Sequence, residues 1–193
     1  IQQAVDMGVK LLISVDCGIT AFDEVAFANE AGLEVIVSDH HEPGERLPDA
    51  VAVIDPKRAD CLYPFKELAG VGVAFKVIQA ISQCLELEDV IYQDYVDLVA
   101  LGSAADIVPL VDENRVLVNK GIEKLNRRDR VGLRALIERS GLGDRQLGTG
   151  QVVFILAPRI NAVGRMGNAE RAVRLLITES VQKARNIASI LES

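Results

Sequence analysis

Short runs of aliphatic residues, separated by an amphipathic segment and a loop, fill the first third of the chain. The runs LLISVD (11–16), EVIVSD (34–39) and AVAVID (50–55) each end in aspartate. The segment TAFDEVAFANEAG between the first two runs has apolar residues at helical spacing and stops at Gly32. Nearly continuous Val/Ile runs of this kind are typical of parallel strands buried on both faces. We therefore predict a β-α-β layer with right-handed crossovers.

After Pro64 the apolar spacing becomes helical and stays helical to the end. The predicted helical segments are 70–85, 89–106, 113–127, 131–141, 149–166, 168–178 and 180–193. The predicted fold class is α/β, with a parallel β-sheet flanked by helices and then an α-helical half. Residues 1–110 form the predicted α/β part, and residues 111–193 form the predicted helical part.

Composition places the chain among ordinary globular proteins, because 49% of its 193 residues are hydrophobic and 25% are charged. Its three cysteines are odd in number and lack a CxxC spacing, which argues against a disulfide framework or a zinc ribbon. We expect a reducing, cytoplasmic location and no membrane segment. Because the chain begins at Ile1 and not at Met, we also expect a piece of a longer polypeptide.

Charge is distributed unevenly along the sequence. Residues 1–110 contain 6 Lys+Arg and 19 Asp+Glu, whereas residues 111–193 contain 15 and 9. An acidic half followed by an arginine-rich half suggests that one part binds cations and the other anions. Solvated surface explains the charges equally well, so both interpretations stay open.

Both histidines of the chain, His40 and His41, directly follow Asp39 at the end of a predicted strand. Parallel strands bring their carboxyl ends to one edge of a sheet, so Asp16 and Asp55 are expected beside them. Acids crowded in this way repel one another and raise each other's pKa. A divalent cation removes the repulsion, and Asp oxygen and His nitrogen suit Mn²⁺, Mg²⁺ or Zn²⁺. The sequence therefore predicts a metal site at this edge.

A further candidate ligand is Asp106, which ends the apolar segment LVALGSAAD. An acid in so apolar a setting needs a partner, and a metal ion, an arginine or a helix N-terminus would each serve. For Asp106 alone a structural role is the better interpretation. For Asp106 together with Asp16 and the Asp39–His41 run, a metal site is favoured.

Two stretches could bind phosphate. Gly70 and Gly72 lie at a predicted helix start, where backbone N–H groups can receive an anion, although close helix packing explains them equally well. Arg159, Asn161 and Arg165 lie in the otherwise apolar stretch PRINAVGR, and arginine forks match phosphate oxygens. The alternative for these arginines is a buried ion pair with the aspartates of the sheet.

The basic run NRRDRVGLR (126–134) is a weaker candidate for phosphate binding. Lys/Arg runs do bind the phosphate backbone of nucleic acids. A solvated helix end explains the run better. Aromatic residues make up only 4% of the chain, so a base-stacking platform is not evident.

The motifs together resemble a known family. The run SDHH resembles the signature of the DHH phosphoesterase superfamily. The stretches IDPKRADCLYPFKELAGVGVAFK, LGSAADIVPL and PRINAVGRMGNAERAVRLL resemble the RecJ single-strand-specific exonucleases, from about Leu11 to the C-terminus. The resemblance implies that 1–110 is the α/β part of a DHH domain without its first motif strand. It implies that 111–193 is the helical part, leading to an interdomain helix.

The resemblance also implies roles for individual residues. Asp16 matches a carboxylate that bridges two metal ions, and His40 and Asp106 match metal ligands. His41 matches a residue that contacts the scissile phosphate, and Asp39 matches a supporting residue that orients its neighbours. The region that contains Arg159, Asn161 and Arg165 matches part of a pocket for nucleic acid and its 5′ phosphate.

The implied activity is 5′→3′ hydrolysis of single-stranded DNA with two Mn²⁺ or Mg²⁺ ions, in DNA repair and recombination. By family analogy, partners include single-strand-binding protein and a RecQ-type helicase. The family's first motif, Asp-x-Asp-x-Asp-Gly or a near relative, is absent from this sequence, as are the family's later domains. We therefore expect about half of a two-metal site, weak metal binding and little or no activity from the 193 residues alone.

Three alternatives stay open. A DHH phosphodiesterase of short oligonucleotides or cyclic dinucleotides, or an inorganic pyrophosphatase, shares the metal ligands but lacks PRINAVGRM. A non-catalytic DHH-fold scaffold would have lost metal ligands, yet every ligand position that the chain covers is intact. A flavodoxin-like sheet with incidental acids does not explain the ordered set of motifs.

Overall fold

The computed structural model describes residues 1–87, 93–165 and 169–190, except for the side chains of 163–165. These residues form two compact units. The first unit contains Ile1–Gln93 and Val111–Asn114, and the second contains Asp94–Leu110 and Arg115–Ser193. The predicted division of the chain at residue 110 stays a prediction, and each unit is described by itself.

The first unit contains the parallel sheet that the aliphatic runs predict. Its elements are α1 (Gln2–Asp6), β1 (Leu11–Val15), α2 (Phe22–Glu30), β2 (Glu34–Ser38), β3 (Ala52–Ile54) and α3 (Gly70–Cys84). The strands pair in parallel in the order β1-β2-β3, so that Val15 lies opposite Ser38 and Ser38 opposite Ile54. This register brings the three carboxyl ends to one edge. The predicted α/β class with a parallel sheet is confirmed.

One face of this sheet forms a small core with α2. Val35 and Val37 alternate inward along β2 and pack against Val25, Ala28 and Leu33. Each valine buried in this way contributes about 1.5–3 kcal/mol relative to an exposed side chain. The helix ends where Gly32 adopts a φ of +77°, a conformation that glycine reaches without a steric penalty.

The prediction that the strands are buried on both faces is wrong for β1. Leu11, Ile13 and Val15 are 44%, 51% and 50% exposed. The strand lies at the edge of the sheet among the described residues, and α3 packs against β1 and β2 without covering these side chains. A continuous aliphatic run therefore indicates a strand but does not reveal how much of each face is covered.

The second unit is helical, as the periodicity predicts. Its elements are α4 (Val96–Ala105), α5 (Asp112–Arg127, whose first residues belong to the first unit), α6 (Val131–Arg139), α7 (Thr149–Gln151), a π-helix (Val152–Leu156), α8 (Ala157–Arg165), α9 (Ala169–Ile177) and α10 (Val181–Ile190). Its core includes Leu136, Ile137, Val152, Leu156 and Leu175, which are fully buried. No helix in the described ranges has the length and apolar character needed to cross a membrane.

The π-helix was not predicted, and the residues around it supply a physical reason. Pro158 has no backbone N–H, and its ring would collide with the carbonyl of Phe154 in an ordinary α-helix. The wider turn from Val152 to Leu156 relieves this collision at the entrance to α8.

Candidate metal and phosphate site

The backbone of Asp16 is held in a strained conformation at the end of β1. Its φ is +65°, in the left-handed region that costs a residue with a side chain about 1–2 kcal/mol. Its N–H donates to the carbonyl of Ser38 at 2.9 Å, which extends the β1–β2 ladder by one bond. Such strain concentrates at functional sites, where the surrounding structure maintains it.

The carboxylate of Asp16 lies beside the two histidines that follow β2. Its Oδ1 is 3.1 Å from Nε2 of His40, whose side chain is 10% exposed, while the Asp16 side chain is 58% exposed. The imidazole of His41 lies with its centroid 4.5 Å from that of His40. One potential ligand atom from each of the three residues lies within 4.8 Å of the others. Carboxylate oxygen and imidazole nitrogen this close fit a divalent cation.

Asp39 is fully buried behind this group and holds both histidines. Its Oδ1 accepts hydrogen bonds from the backbone N–H of His40 (2.8 Å) and of His41 (3.3 Å), and lies 2.7 Å from His41 Nδ1. Its Oδ2 accepts from the N–H of Ile19 at 2.9 Å. Burial by itself raises the pKa of Asp39, but these hydrogen bonds outweigh it, so the pKa lies below its usual value. The geometry suits a residue that orients its neighbours.

Asp55 is the third acid at the carboxyl edge of the sheet, as predicted. It is buried, and its Oδ1 accepts from the N–H of Lys57 at 2.8 Å. Burial raises the pKa of Asp55, and the negative charge of Asp39 raises it further. The crowding of acids expected from the strand ends is therefore present at this edge.

Gly70 and Gly72 begin α3, as the sequence predicts, and they face different neighbours. A Cβ atom added at Gly70 would lie 2.5 Å from Cγ and 2.7 Å from Cβ of Asp16. A Cβ atom added at Gly72 would meet the side chain of Leu68, at 3.2 Å from Cδ2. Close packing therefore accounts for both glycines, and phosphate binding by the N–H groups of this turn stays a prediction.

Asp106 belongs to the second unit, where it caps the C-terminal end of α4. It is exposed, so it does not lie in the apolar setting that its neighbours in the sequence predict. The apolar residues before it lie on buried faces of α4, whereas Ile107 after it is 79% exposed and has a φ of +57°. Shared metal binding by Asp106 and Asp16 stays a prediction.

The predicted phosphate-binding residues of the second unit lie on α8. Arg159 donates from Nη1 to the carbonyl of Ile155 at 2.9 Å, on the π-helical turn. Asn161 is exposed and lines a cavity of about 470 Å³ together with residues of α4 and the loop after it that include Ala104 and Ile107. The side chain of Arg165 lies outside the described residues.

The arginines of the run 126–134 have structural partners. Arg128 adopts a φ of +61° and donates to the carbonyls of Leu125, Leu142 and Arg145 at 3.3, 3.3 and 2.7 Å. Arg130 forms a two-pronged ion pair with the buried carboxylate of Asp97, at 2.7 and 3.0 Å. These contacts give two of the arginines a role in holding helices and loops of the unit together. Sequence reasoning missed the Arg130–Asp97 pair, because its members lie on different helical segments.

A family model described as "DHH family, N-terminal domain" matches residues 1–103. The chain is also 48% identical over 187 residues to the single-stranded-DNA-specific exonuclease RecJ of Bacillus subtilis (strain 168). This alignment covers 97% of the chain and 23% of the relative. The chain therefore spans less than a quarter of the length of that curated relative.

Solved structures give a similar result. The crystal structure of exonuclease RecJ bound to manganese matches with a TM-score of 0.86 and 37% identity, over 100% of this chain and 49% of that one. The crystal structure of RecJ from Thermus thermophilus in complex with Mg²⁺ matches with a TM-score of 0.70 and 28% identity, over 99% and 32%. The likeness therefore extends to experimental structures that carry Mn²⁺ or Mg²⁺.

Proposed function

The chain belongs to the DHH family and resembles RecJ exonucleases along nearly its whole length, and we propose that the protein containing it is a single-stranded-DNA-specific 5′→3′ exonuclease. The observation that carries the proposal is the group of Asp16, His40 and His41 at the carboxyl edge of the parallel sheet. The activity is proposed for the whole protein, because the chain covers only part of each relative.

Asp16 and His40 would hold a divalent cation, and we propose Asp106 as a further ligand. Mn²⁺ or Mg²⁺ is the proposed cofactor, with two ions in the intact protein, and the metal-bound RecJ structures support this choice. Divalent ions, when bound, lower the pKa of a water molecule and stabilise charge on phosphate oxygens. The strained backbone of Asp16 and the burial of His40 fix their ligand atoms in advance, so little ordering is needed on binding.

His41 is the proposed contact to the scissile phosphate. Its Nδ1 lies 2.7 Å from the buried carboxylate of Asp39. Because a carboxylate accepts hydrogen bonds, Nδ1 is assigned as the donor that carries a proton. When the ring is doubly protonated, the second proton lies on Nε2, which would donate it in a hydrogen bond to the phosphate or pass it to the leaving oxygen. The side chain of His41 is 60% exposed, which leaves room for a substrate.

Arg159, Asn161 and Arg165, with the N–H groups at Gly70 and Gly72, are the proposed contacts to the phosphates of the nucleic acid. The exposed position of Asn161 beside a cavity supports this role, and guanidinium groups bind phosphate in a two-pronged manner. A guanidinium group carries several N–H donors, so the bond from Arg159 Nη1 to the carbonyl of Ile155 is compatible with a phosphate contact.

We further propose a role in DNA repair and recombination in the cytoplasm, with single-strand-binding protein and a RecQ-type helicase as partners. The names of the curated RecJ relatives support single-stranded DNA as the substrate. The 193 residues alone are proposed to bind metal weakly and to have little activity.

The test uses the full-length protein with Mn²⁺ and 5′-phosphorylated single strands, duplexes and dinucleotides. We expect mononucleotides released from the 5′ end of the single strand, and no release by an Asp16→Asn variant. Hydrolysis of dinucleotides without degradation of single strands would instead identify a DHH phosphodiesterase. Bound Mn²⁺ without hydrolysis of any of the three would identify a scaffold.

A further inference from the structure

The start of α3 leaves a space that the carboxylate of Asp16 fills. Gly70 is buried, and a Cβ atom there would approach Cγ and Cβ of Asp16 to 2.5 and 2.7 Å, and Oδ1 more closely still. Carbon atoms that are not bonded make favourable contact at about 3.5–4.0 Å. An alanine at this position therefore cannot coexist with Asp16 in its present place.

Rotation of the Asp16 side chain would not relieve this overlap. A change of χ1 moves Cγ and the carboxylate oxygens, but the Cβ atom is fixed by the backbone. That backbone is held by the hydrogen bond to the carbonyl of Ser38 and by the left-handed φ of +65°. A side chain at position 70 must therefore displace either the loop that carries Asp16 or the first turn of α3.

The contact also places a carboxylate beside the first turn of α3. Ala69, the N-cap residue of α3, has no polar side chain that could accept a hydrogen bond from the first turn. The first N–H groups of a helix carry partial positive charge and favour a nearby anion. The Asp16 carboxylate is such an anion, and it can lie beside the first turn of α3 because Gly70 has no side chain.

We propose that Gly70 is a positioning residue for the metal site: its missing side chain lets the start of α3 hold the Asp16 carboxylate beside His40. This inference deepens the proposed function and rests on it, because it gives the glycine at the first position of α3 a role in ordering a metal ligand. Gly72 does not share the role, since its nearest neighbour is Leu68.

The test compares alanine at Gly70 with alanine at Gly150 in the full-length protein. Gly150 is a matched control, because it is also helical and a Cβ atom there meets nothing within 4 Å. We expect Gly70→Ala to weaken Mn²⁺ binding, measured by calorimetry, by about tenfold or more, as losses of ligand-orienting contacts do. We expect Gly150→Ala to change it by less than about twofold.

A double-mutant cycle separates a positioning role from a need for glycine in the helix itself. Asp16→Gly removes the overlapping atoms, and glycine suits the left-handed backbone at this position. We expect Gly70→Ala to lower the melting temperature of the metal-free protein when Asp16 is present, and to have almost no effect when Asp16→Gly is also present.

Two results would overturn the proposal. One is wild-type Mn²⁺ affinity in Gly70→Ala, and the other is an equal loss of melting temperature in both backgrounds. Failure of the proposed function can be told apart from failure of this inference. In that case the wild-type protein would not degrade single-stranded DNA, but the metal-free melting temperatures would still show that the effect of Gly70→Ala depends on Asp16.

Discussion

The charged residues at the sheet edge of the first unit and the arginines of the second unit have different kinds of contacts. Asp16, His40 and His41 turn their polar atoms toward one another, with Asp16 on a strained backbone. Arg128 instead donates hydrogen bonds to backbone carbonyls, and Arg130 forms an ion pair with the buried carboxylate of Asp97. The sign of charge along the sequence therefore does not reveal function. Chemistry is expected where several carboxylates and imidazoles gather at one edge, and structural support where an arginine is paired with a buried carboxylate or with backbone carbonyls.

Removing the central acid of the first region should cost the most activity. Asp16→Asn keeps the shape of the side chain but removes the charge that binds the cation. Because metal ions contribute several kcal/mol to stabilising the transition state, we expect kcat on single-stranded DNA to fall about 1,000-fold. The matched control is Asp60→Asn, an exposed acid of the same unit that pairs with Arg58, and it should leave kcat unchanged. A similar loss in both variants would contradict a special role for Asp16.

A loss of stability with no loss of metal binding is expected from the second region. Asp97→Ala leaves Arg130 without its buried partner, which costs about 3 kcal/mol or more in the free energy of unfolding. Lys120→Ala, which breaks the exposed pair with Glu123, should cost less than about 1 kcal/mol. Urea unfolding measures both, and Mn²⁺ affinity should not change in either variant. Weakened Mn²⁺ binding by Asp97→Ala would show that the two regions are not separable in this way.

Within the first region, His41 should differ from the metal ligands beside it. If His41 acts on the substrate, His41→Ala should lower kcat about 100-fold, as loss of a general acid does, and should leave Mn²⁺ affinity nearly unchanged. Steady-state kinetics and calorimetry on the same preparation measure the two quantities. Parallel loss of both would make His41 a metal ligand, which the 4.8 Å grouping also permits.

A smaller change in kinetics is expected for Arg159, which has both a proposed phosphate contact and a hydrogen bond to the backbone. Loss of a charge-assisted hydrogen bond to phosphate should raise the KM for 5′-phosphorylated DNA about tenfold in Arg159→Ala. The control is Arg174→Ala, which removes an exposed arginine paired with Glu170. An unchanged KM with a lower melting temperature would show that Arg159 has a structural role, to which its bond to the carbonyl of Ile155 contributes.

Much of the fold could be predicted from local pattern. Strand ends and helix ends follow from aliphatic runs and from glycines such as Gly32 and Gly141, which both adopt positive φ values just beyond a helix. The grouping of Asp16 with His40 also followed, because parallel strands that are neighbours in sequence bring their ends together. Periodicity and connection rules are enough for features of this kind.

Features set by tertiary contact could not be predicted. The space at Gly70 depends on where Asp16 lies after folding, and nothing near either residue in the sequence indicates the contact. The exposure of side chains could not be predicted for the same reason. Asp106 follows an apolar helix yet is exposed, and Ile13 lies in an aliphatic strand yet is half exposed. Local hydrophobicity does not show which neighbouring elements cover a residue.

Every role proposed for Asp16 and His40 requires that the carboxyl edge of the sheet hold a divalent cation. Crystals of the full-length protein grown with Mn²⁺ and measured at the manganese absorption edge show directly where the ion binds. We predict an anomalous peak within bonding distance of both Asp16 Oδ1 and His40 Nε2, whose present separation of 3.1 Å already suits two ligands of one ion. Manganese bound elsewhere, with Asp16 and His40 still in direct contact, would contradict the proposed metal site.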